Sequence, residues 1–199
     1  MPKVHTATAR KDYPKFGISK GDKYYYWTPY RQGRKMSKTQ PTASQVESNA
    51  TRSSFLAIVE SCEAEIDDAG VVEDVKDALC NAADDFDGIV EELREKSSNI
   101  EEGFGHETEL STQFNDQADE LESWADELRG ADFDEVEEPG EEPEEPDRDE
   151  YEDDLDYEKA VEEYDCSLEE WEVMKQAWEE ALEAAKDEAT DLISSAPDI

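Results

Sequence analysis

The sequence predicts an α+β fold that is mostly α: a small N-terminal antiparallel β-sheet, an acidic antiparallel helical bundle or coiled coil, and a C-terminal helix. Three observations predict it. An aromatic run near the N-terminus is bounded by Gly and polar residues, apolar residues recur at spacings of three and four from residue 53 onward, and a Pro- and Glu-rich stretch precedes a last amphipathic segment. We therefore divide the chain into a basic head (1–45), an acidic bundle of three helices (53–130), an acidic linker (131–155) and a C-terminal amphipathic helix (156–195).

Charge is distributed very unevenly along the chain. The formal net charge is −38 over 199 residues. Residues 1–52 contain 11 Lys and Arg against 3 Asp and Glu, a net +8, whereas residues 53–199 contain 8 against 54, a net −46. Such asymmetry is typical of chains that contact nucleic acid or another charged partner at one end.

A β-hairpin is predicted in the head. Tyr24 to Tyr30 form an aromatic strand and Lys35 to Thr39 a polar one, joined by a short turn over residues 31–34. With a two-residue loop at 32–33, the predicted cross-strand pairs are Tyr30 with Lys35, Thr28 with Ser37 and Tyr26 with Thr39, while Tyr25, Trp27, Arg31, Arg34, Met36 and Lys38 share the other face.

A third strand is expected beside this hairpin, because an isolated hairpin is only marginally stable in water. Lys3 to Arg10 alternate in the manner of a strand. Pro29 cannot donate to a ladder, so its strand must be an edge or contain a bulge, and the register could slip by one.

Aromatic and cationic side chains of residues 20–40 form the candidate nucleic-acid site. A small sheet with Lys and Arg at its rim can bind DNA or RNA, and exposed aromatics can stack on bases. The residues that we expect to contact nucleic acid are Lys23, Tyr24, Tyr26, Trp27, Tyr30, Arg31, Arg34, Lys35 and Lys38. The alternative is structural: these aromatics form a tiny core, and the acidic helices neutralise the cations.

Two resemblances follow from these residues. The run KGDKYYYWTPYRQGRKMSKTQPT resembles the arm-binding N-terminal domain of phage tyrosine recombinases, although nothing in the remaining chain resembles their catalytic domain. The order ARKD, KGDKYYYW, SKTQPTASQ, SSFL, IVEELRE and ADELESWADEL is similar to a family of small uncharacterised proteins encoded by phages and bacteria. The second resemblance implies a phage-related setting and no particular activity.

Three helical stripes predict the bundle. The first runs from Phe55 to Ile66, begins after a Ser53 or Ser54 cap, and ends before Gly70. The second contains Val72, Val75, Leu79, Ala82, Phe86, Ile89 and Leu93, whose regular spacing favours coiled-coil packing on the first stripe, with Phe55 near Phe86. The third contains Leu110, Phe114, Gln117, Leu121, Trp124 and Leu128, after a break at residues 103–105.

The last helix offers a candidate partner-binding surface. Residues 131–154 are predicted to form an extended, self-repelling linker. A capping-box pattern at residues 167–170 favours a helix start there, with residues 157–164 as a possible N-terminal extension. Its stripe contains Leu168, Trp171, Met174, Trp178, Ala181 and Ala185. Trp171 and Trp178, with Met174, are expected to pack on the bundle or on another copy or protein partner.

Several functions are disfavoured by the sequence. Asp85, Asp87 and Gly88 fit positions of an EF-hand loop, but Ala83 and Arg94 replace two of its oxygen ligands. Nucleotide-binding, zinc and hydrolase motifs are not found, so we expect no cofactor, no metal site and no enzyme activity. The three Cys fit small buried residues in a reducing compartment. Without a signal peptide or an apolar run long enough to span a membrane, we expect a cytoplasmic protein, in the host cytoplasm if phage-encoded.

These features support two functional hypotheses. The first is a non-enzymatic nucleic-acid-associated or assembly protein, with the head on DNA or RNA and the acidic body on a protein partner or a second copy. The alternative is a nucleic-acid mimic that inhibits a host DNA-binding enzyme, because carboxylates along helices can imitate phosphates. A third interpretation is that the acids only keep the helices solvated, or reflect a high-salt habitat.

Overall fold

The computed structural model describes residues 2–29, 31, 33–134, 136–151, 153–197 and 199, with the side chain of Glu150 excepted. The fold is α+β and mostly α. Strands β1 (His5–Thr8), β2 (Lys23–Trp27) and β3 (Lys35–Ser37) are followed by five helices: α1 (Ala43–Val46), α2 (Ala50–Asp68), α3 (Val72–Phe104), α4 (Glu109–Arg129) and α5 (Asp154–Ser194). Two short 3-10 turns lie at Pro14–Phe16 and Arg148–Glu150.

The head contains the expected three-stranded antiparallel sheet, in the order β1-β2-β3. The predicted hairpin register is wrong: Tyr25 pairs with Ser37, Tyr26 with Met36 and Trp27 with Lys35. The connection between β2 and β3 therefore spans residues 28–34 instead of two residues. Pro29 explains part of this difference, because it lacks the N–H that a continued ladder would need and lies buried just beyond β2.

One face of the sheet packs on a small core of its own. Ala9, Ile18 and Tyr24 are buried there, and Ala7, Tyr13, Tyr26 and Met36 pack against them. Met36 lies on the Tyr24 face because it pairs with Tyr26, which corrects the prediction that it shares a face with Tyr25 and Trp27.

Helices α2 and α3 form the antiparallel pair that the sequence predicts. The chain reverses around Gly70, all seven residues of the second stripe are buried, and the rings of Phe55 and Phe86 are 5.2 Å apart. Helix α2 begins three residues before Ser53, because the Asn49 side chain accepts a hydrogen bond from the Arg52 amide and caps the helix. At the N-terminal end of α2, Glu92 of α3 accepts a hydrogen bond from the Thr51 hydroxyl at 2.8 Å and forms an ion pair with Lys96 at 2.7 Å.

Helix α4 closes the bundle with Leu121, Trp124 and Leu128 buried as predicted. Leu110 is exposed, which corrects its place in the stripe. The reason is the capping box of Thr108 and Ser111, which turns Ser111 inward to accept a bond from Ser97 at its carbonyl oxygen. Three small residues that the predicted stripe did not include are also buried in α4: Ser111, Ala118 and Ala125.

Helix α5 starts at Asp154 and runs through the predicted start at residues 167–170, so the capping-box prediction is wrong. Asp153 caps the helix, and the Ser167 hydroxyl donates to the Glu163 carbonyl inside it. Its C-terminal part docks on the bundle through Ala185, Ala189 and Ile193. Trp124 donates its indole N–H to the Leu192 carbonyl, and Arg52 donates to the Ile199 carbonyl.

Residues 131–153, which we call the strap, are not a free linker. Phe133 is buried in the bundle core, and the chain then returns along the N-terminal part of α5. Among the described helices, none is both long and apolar enough to cross a membrane. Cys62 is buried as predicted, but Cys80 is half-buried and Cys166 is exposed. Burial, with Glu65 and Glu63 nearby, raises the pKa of the Cys62 thiol to about 12.

Candidate nucleic-acid interface

The face of the sheet that points away from the small core carries two exposed lysines. Lys23, Tyr25 and Trp27 alternate along β2 onto this face, and Lys35 joins it as the cross-strand partner of Trp27. We call the part of this surface formed by Lys23, Tyr25 and Lys35 the open face; Thr6 and Thr8, which pair with Tyr25 and Lys23, also belong to it, whereas Trp27 is buried against α1. Lys23 and Lys35 lie at opposite ends of β2, about 13 Å apart along the strand direction.

The three acids of residues 1–52 accept hydrogen bonds from nearby backbone amides. Asp12 accepts a hydrogen bond from the Lys20 amide at 2.6 Å, and Asp22 accepts one from the Ser19 amide at 3.1 Å. Glu47 accepts from the Ser48 and Asn49 amides at 2.6 and 2.9 Å. These amide donors lower the pKa of Asp22, helped by Lys38, and the pKa of Glu47. The three carboxylates are therefore committed to turns and a helix start.

Most head cations remain available to a ligand. Lys38 pairs with Asp22 at 3.0 Å and is still 62% exposed, and the Arg34 guanidinium lies 3.7 Å from the centre of the Tyr26 ring. Within the described residues, Lys23, Arg34 and Lys35 make no ion pair with a carboxylate of the helices. The expected alternative, that the acidic helices neutralise the head, is therefore not supported by a direct ion pair at these three among the described residues. Arg31 has a positive φ of 55° in the loop after β2.

The aromatic side chains are placed differently from the prediction. Tyr24 and Trp27 are only 6% and 4% exposed, so they cannot stack on bases. Tyr26 is half-buried and its ring already contacts His5, with centroids 5.1 Å apart, and Arg34. Tyr30 lies outside the described residues. Of the aromatic residues predicted to contact nucleic acid, the three that the structure describes are therefore buried or already in contact with a neighbouring side chain.

Trp27 instead anchors the head to the helices. Its indole N–H donates to the Gln45 carbonyl of α1 at 3.2 Å. The next contact is made by Ser44, whose amide and hydroxyl donate to Glu60 of α2 at 3.0 and 2.6 Å. Ser53 also donates to the Ser44 carbonyl at 2.8 Å. Helix α1 is thus a short bridge that fixes the sheet on the first helix of the bundle.

Three members of the open face were missed by the sequence analysis: Thr6, Thr8 and Tyr25. Tyr25 is half-buried and lies between the two lysines on β2. The alternation of Lys23, Tyr25 and Trp27 along one strand was the signal that could have identified Tyr25. Once β1 is paired with β2, the same alternation identifies Thr6 and Thr8.

The three candidate partner-binding residues of α5 have different surroundings: the two tryptophans lie near the strap, and Met174 is exposed. Trp171 donates its indole N–H to the Gly140 carbonyl of the strap at 2.7 Å, and Lys175 lies 4.8 Å from its ring centre. Trp178 shares a depression with Val136 of the strap and with Val71 and Val72. Trp171 is therefore in contact with the strap, whereas Trp178 faces a depression lined by both the strap and the start of α3, which is part of the bundle. Met174 is 44% exposed and lies with Val173 and Cys166 on open helix surface.

Within the residues that the structure describes, no three His, Cys, Asp or Glu side chains approach each other closely enough to hold a metal ion. The candidate sites of this chain are therefore two surfaces, one basic and one acidic and aromatic. Neither family models, nor curated proteins, nor solved structures match this chain, so the evidence for its function lies in the charge and contacts of the head and α5.

Proposed function

We propose that this chain is a non-enzymatic, phage-related, nucleic-acid-associated interaction protein, in which the head binds phosphates of DNA or RNA and the acidic body contacts a protein. One observation carries the proposal: the open face presents Lys23 and Lys35, while all three acids of residues 1–52 are engaged by backbone amides. Phosphate contact needs exposed cations and not base-reading side chains, so the buried aromatics are compatible with it.

The acidic body limits how the head can bind. With −46 over residues 53–199, the helices repel phosphate, so a duplex or single strand must reach Lys23 and Lys35 without coming close to the helices that dock on Trp27 at one end of the same side of the sheet. Attraction over a short cationic surface predicts weak affinity that depends steeply on salt, with little preference for sequence.

Fluorescence anisotropy with a labelled 20-nucleotide duplex and single strand tests this function. We expect Lys23→Ala/Lys35→Ala to reduce affinity at 50 mM salt, and to lower the slope of log affinity against log salt by about 2, because each lost phosphate contact removes about one released counterion. Lys76→Ala/Lys159→Ala is the matched control, since it removes the same charge from exposed ion pairs on α3 and α5. Equal binding by wild type and the head variant would exclude the open face as the interface.

A second candidate function, mimicry of nucleic acid, is favoured by the density of acids along α5 and the strap. Residues 131–178 contain 23 Asp and Glu against 3 Lys and Arg. The α5 part of this region is 25 residues long, about 37 Å, and the strap runs alongside it, so strap and helix together carry a net −20, about one net negative charge per 1.9 Å of α5. B-DNA carries one per about 1.7 Å.

Competition measures mimicry directly. The chain should release a labelled duplex from a basic duplex-binding protein more effectively than polyglutamate of equal net charge, because the helix holds its carboxylates at fixed spacing. Equal potency of polyglutamate would mean that only charge matters and would exclude mimicry by geometry.

A further inference from the structure

We propose that the aromatic side of α5 beneath the strap is a binding site for an extended, Lys- and Arg-rich segment of a protein partner, and that the strap occupies this site in the free chain. The inference rests on the proposed protein-contact role of the acidic body and is independent of the head. It adds the class of the partner and the position of its site.

The contacts under the strap are those of a bound peptide. The Trp171 indole N–H donates to a backbone carbonyl, that of Gly140, and Trp178 lies beside Val136. Near the start of α5, the rings of Tyr151 and Tyr157 are 5.8 Å apart, and the Arg148 guanidinium lies 5.3 Å from the Tyr157 ring. None of these contacts with α5 uses a carboxylate of the strap, so a segment with different charges could make them too.

Electrostatics make the strap a poor occupant of this site. Strap and helix are both strongly acidic, and Arg148 is the one basic residue in the strap sequence, so like charges face each other along the contact. The prolines at 139, 143 and 146 favour an extended conformation, which lowers the entropy lost on docking. Proline-rich, extended backbone packed on aromatic side chains is a recurrent mode of peptide recognition.

A cationic segment would reverse this balance. It could offer the same extended backbone and carbonyl acceptor to Trp171, while the repulsion from neighbouring carboxylates such as Glu170 and Glu172 would become attraction. The two ends of the strap are fixed, by Phe133 in the bundle core and by Asp153, which caps α5. The residues between them can therefore leave α5 while the bundle stays folded. Along residues 154–177, the described hydrogen bonds and ion pairs are made with the strap or within α5.

The test uses the full chain and a synthetic probe built from the strap. The probe, KKPGKKPKKPK, keeps Pro and Gly of residues 137–147 and carries Lys at every acidic position. We expect it to move the backbone amide resonances of strap residues 136–145 towards random-coil positions and to shift the resonance of the Trp171 indole N–H, which donates to Gly140 in the free chain, more strongly at 50 mM than at 500 mM salt. The control peptides are the native EEPGEEPEEPD and the Lys probe with Ser at each Pro and Gly.

Three outcomes would overturn the proposal. The first is probe binding that leaves the amide resonances of the strap unchanged, which would indicate general attraction to the acidic surface. The second is equal displacement of the strap by the probe and by its Ser-containing control, which would exclude recognition of an extended Pro-containing backbone. Trp171→Ala should weaken probe binding, and equal binding by that variant would also contradict the proposed site.

A variant with fewer acids in the strap tests whether charge repulsion between the strap and α5 is what allows the probe to displace the strap. Replacing the six Glu at positions 137, 138, 141, 142, 144 and 145 by Gln keeps the backbone and removes six of the 14 carboxylates of residues 131–153. The strap of this variant should resist displacement by the probe more than the wild-type strap does; easier displacement would contradict the electrostatic argument. Lys23→Ala/Lys35→Ala should respond to the probe as wild type does, so failure of nucleic-acid binding and failure of this inference are distinguishable.

Discussion

Glu60 shows how one side chain holds the head on the helices. Burial disfavours its charged form, but the hydroxyl and amide of Ser44, with Thr42 and Ala43, outweigh this cost and lower its pKa. The carboxylate therefore caps α1, and α1 in turn accepts the indole N–H of Trp27. The sequence could not predict this link, because Trp27 reads as an exposed hairpin aromatic until the Gln45 carbonyl, 18 residues away, is placed beside it.

Titration of Glu60 should loosen this link in acid. A carboxyl whose folded pKa is lowered stabilises the fold above its unfolded pKa, about 4.3, and this stabilisation is lost as pH falls through the lower folded value. We expect the Ser44 amide proton to shift with that transition in NMR spectra. Glu60→Gln should remove the transition and destabilise the docked head by about 1.5 kcal/mol; a Ser44 shift that titrates equally in the variant would contradict this role.

At the level of elements, the long helices were predictable and the hairpin was not. In α3, apolar side chains recur regularly over three heptads, so one register alone buries all of them. In the head, β3 has only three residues, and neither strand has enough apolar side chains to fix its pairing. Here the long loop that contains Pro29 decided the register.

Phe86 is the residue on which three helices meet. It is fully buried, with its ring centroid 5.2 Å from that of Phe55 and 4.9 Å from that of Trp124. Phe86→Ala should lower the free energy of unfolding by about 4 kcal/mol, because the bundle cannot fill the cavity. On the same helix, Phe104 is exposed, so Phe104→Ala is the matched control and should change stability by less than about 0.5 kcal/mol in urea denaturation. Similar losses in both would contradict this packing.

Two arginines join α3 and α4 in a reciprocal arrangement that the sequence analysis did not predict. Arg94 of α3 pairs with Asp119 and Glu122 of α4 at 3.1 and 2.7 Å. In return, Arg129 of α4 pairs with two acids of α3, Asp84 and Asp87, at 2.9 and 2.6 Å. Each cation binds carboxylates that would otherwise repel across the interface, and these bonds raise the pKa of both guanidinium groups.

Across the whole molecule, the separation of charge predicts opposite effects of salt on two measurements. Raising salt from 0.1 to 1 M shortens the screening length from about 10 to 3 Å, so the Tm of the acidic body should rise while affinity of the head for nucleic acid falls. Arg94→Ala/Arg129→Ala should make the Tm more dependent on salt than it is in wild type. A Tm that does not change with salt would mean that repulsion among the carboxylates contributes little to stability. That result would also count against the interpretation that the acids reflect a high-salt habitat.

Helix α5 is held on the bundle near its C-terminal end, where Ala185, Ala189 and Ile193 are buried. About 40 Å of helix extends from there past the turn between α2 and α3, with the strap alongside. A tilt of about 10° at this contact would displace the tip by about 7 Å, given that length. Exposed Cys166 lies on this part of α5, so a dye or spin label attached there would report a change in the tilt of the helix.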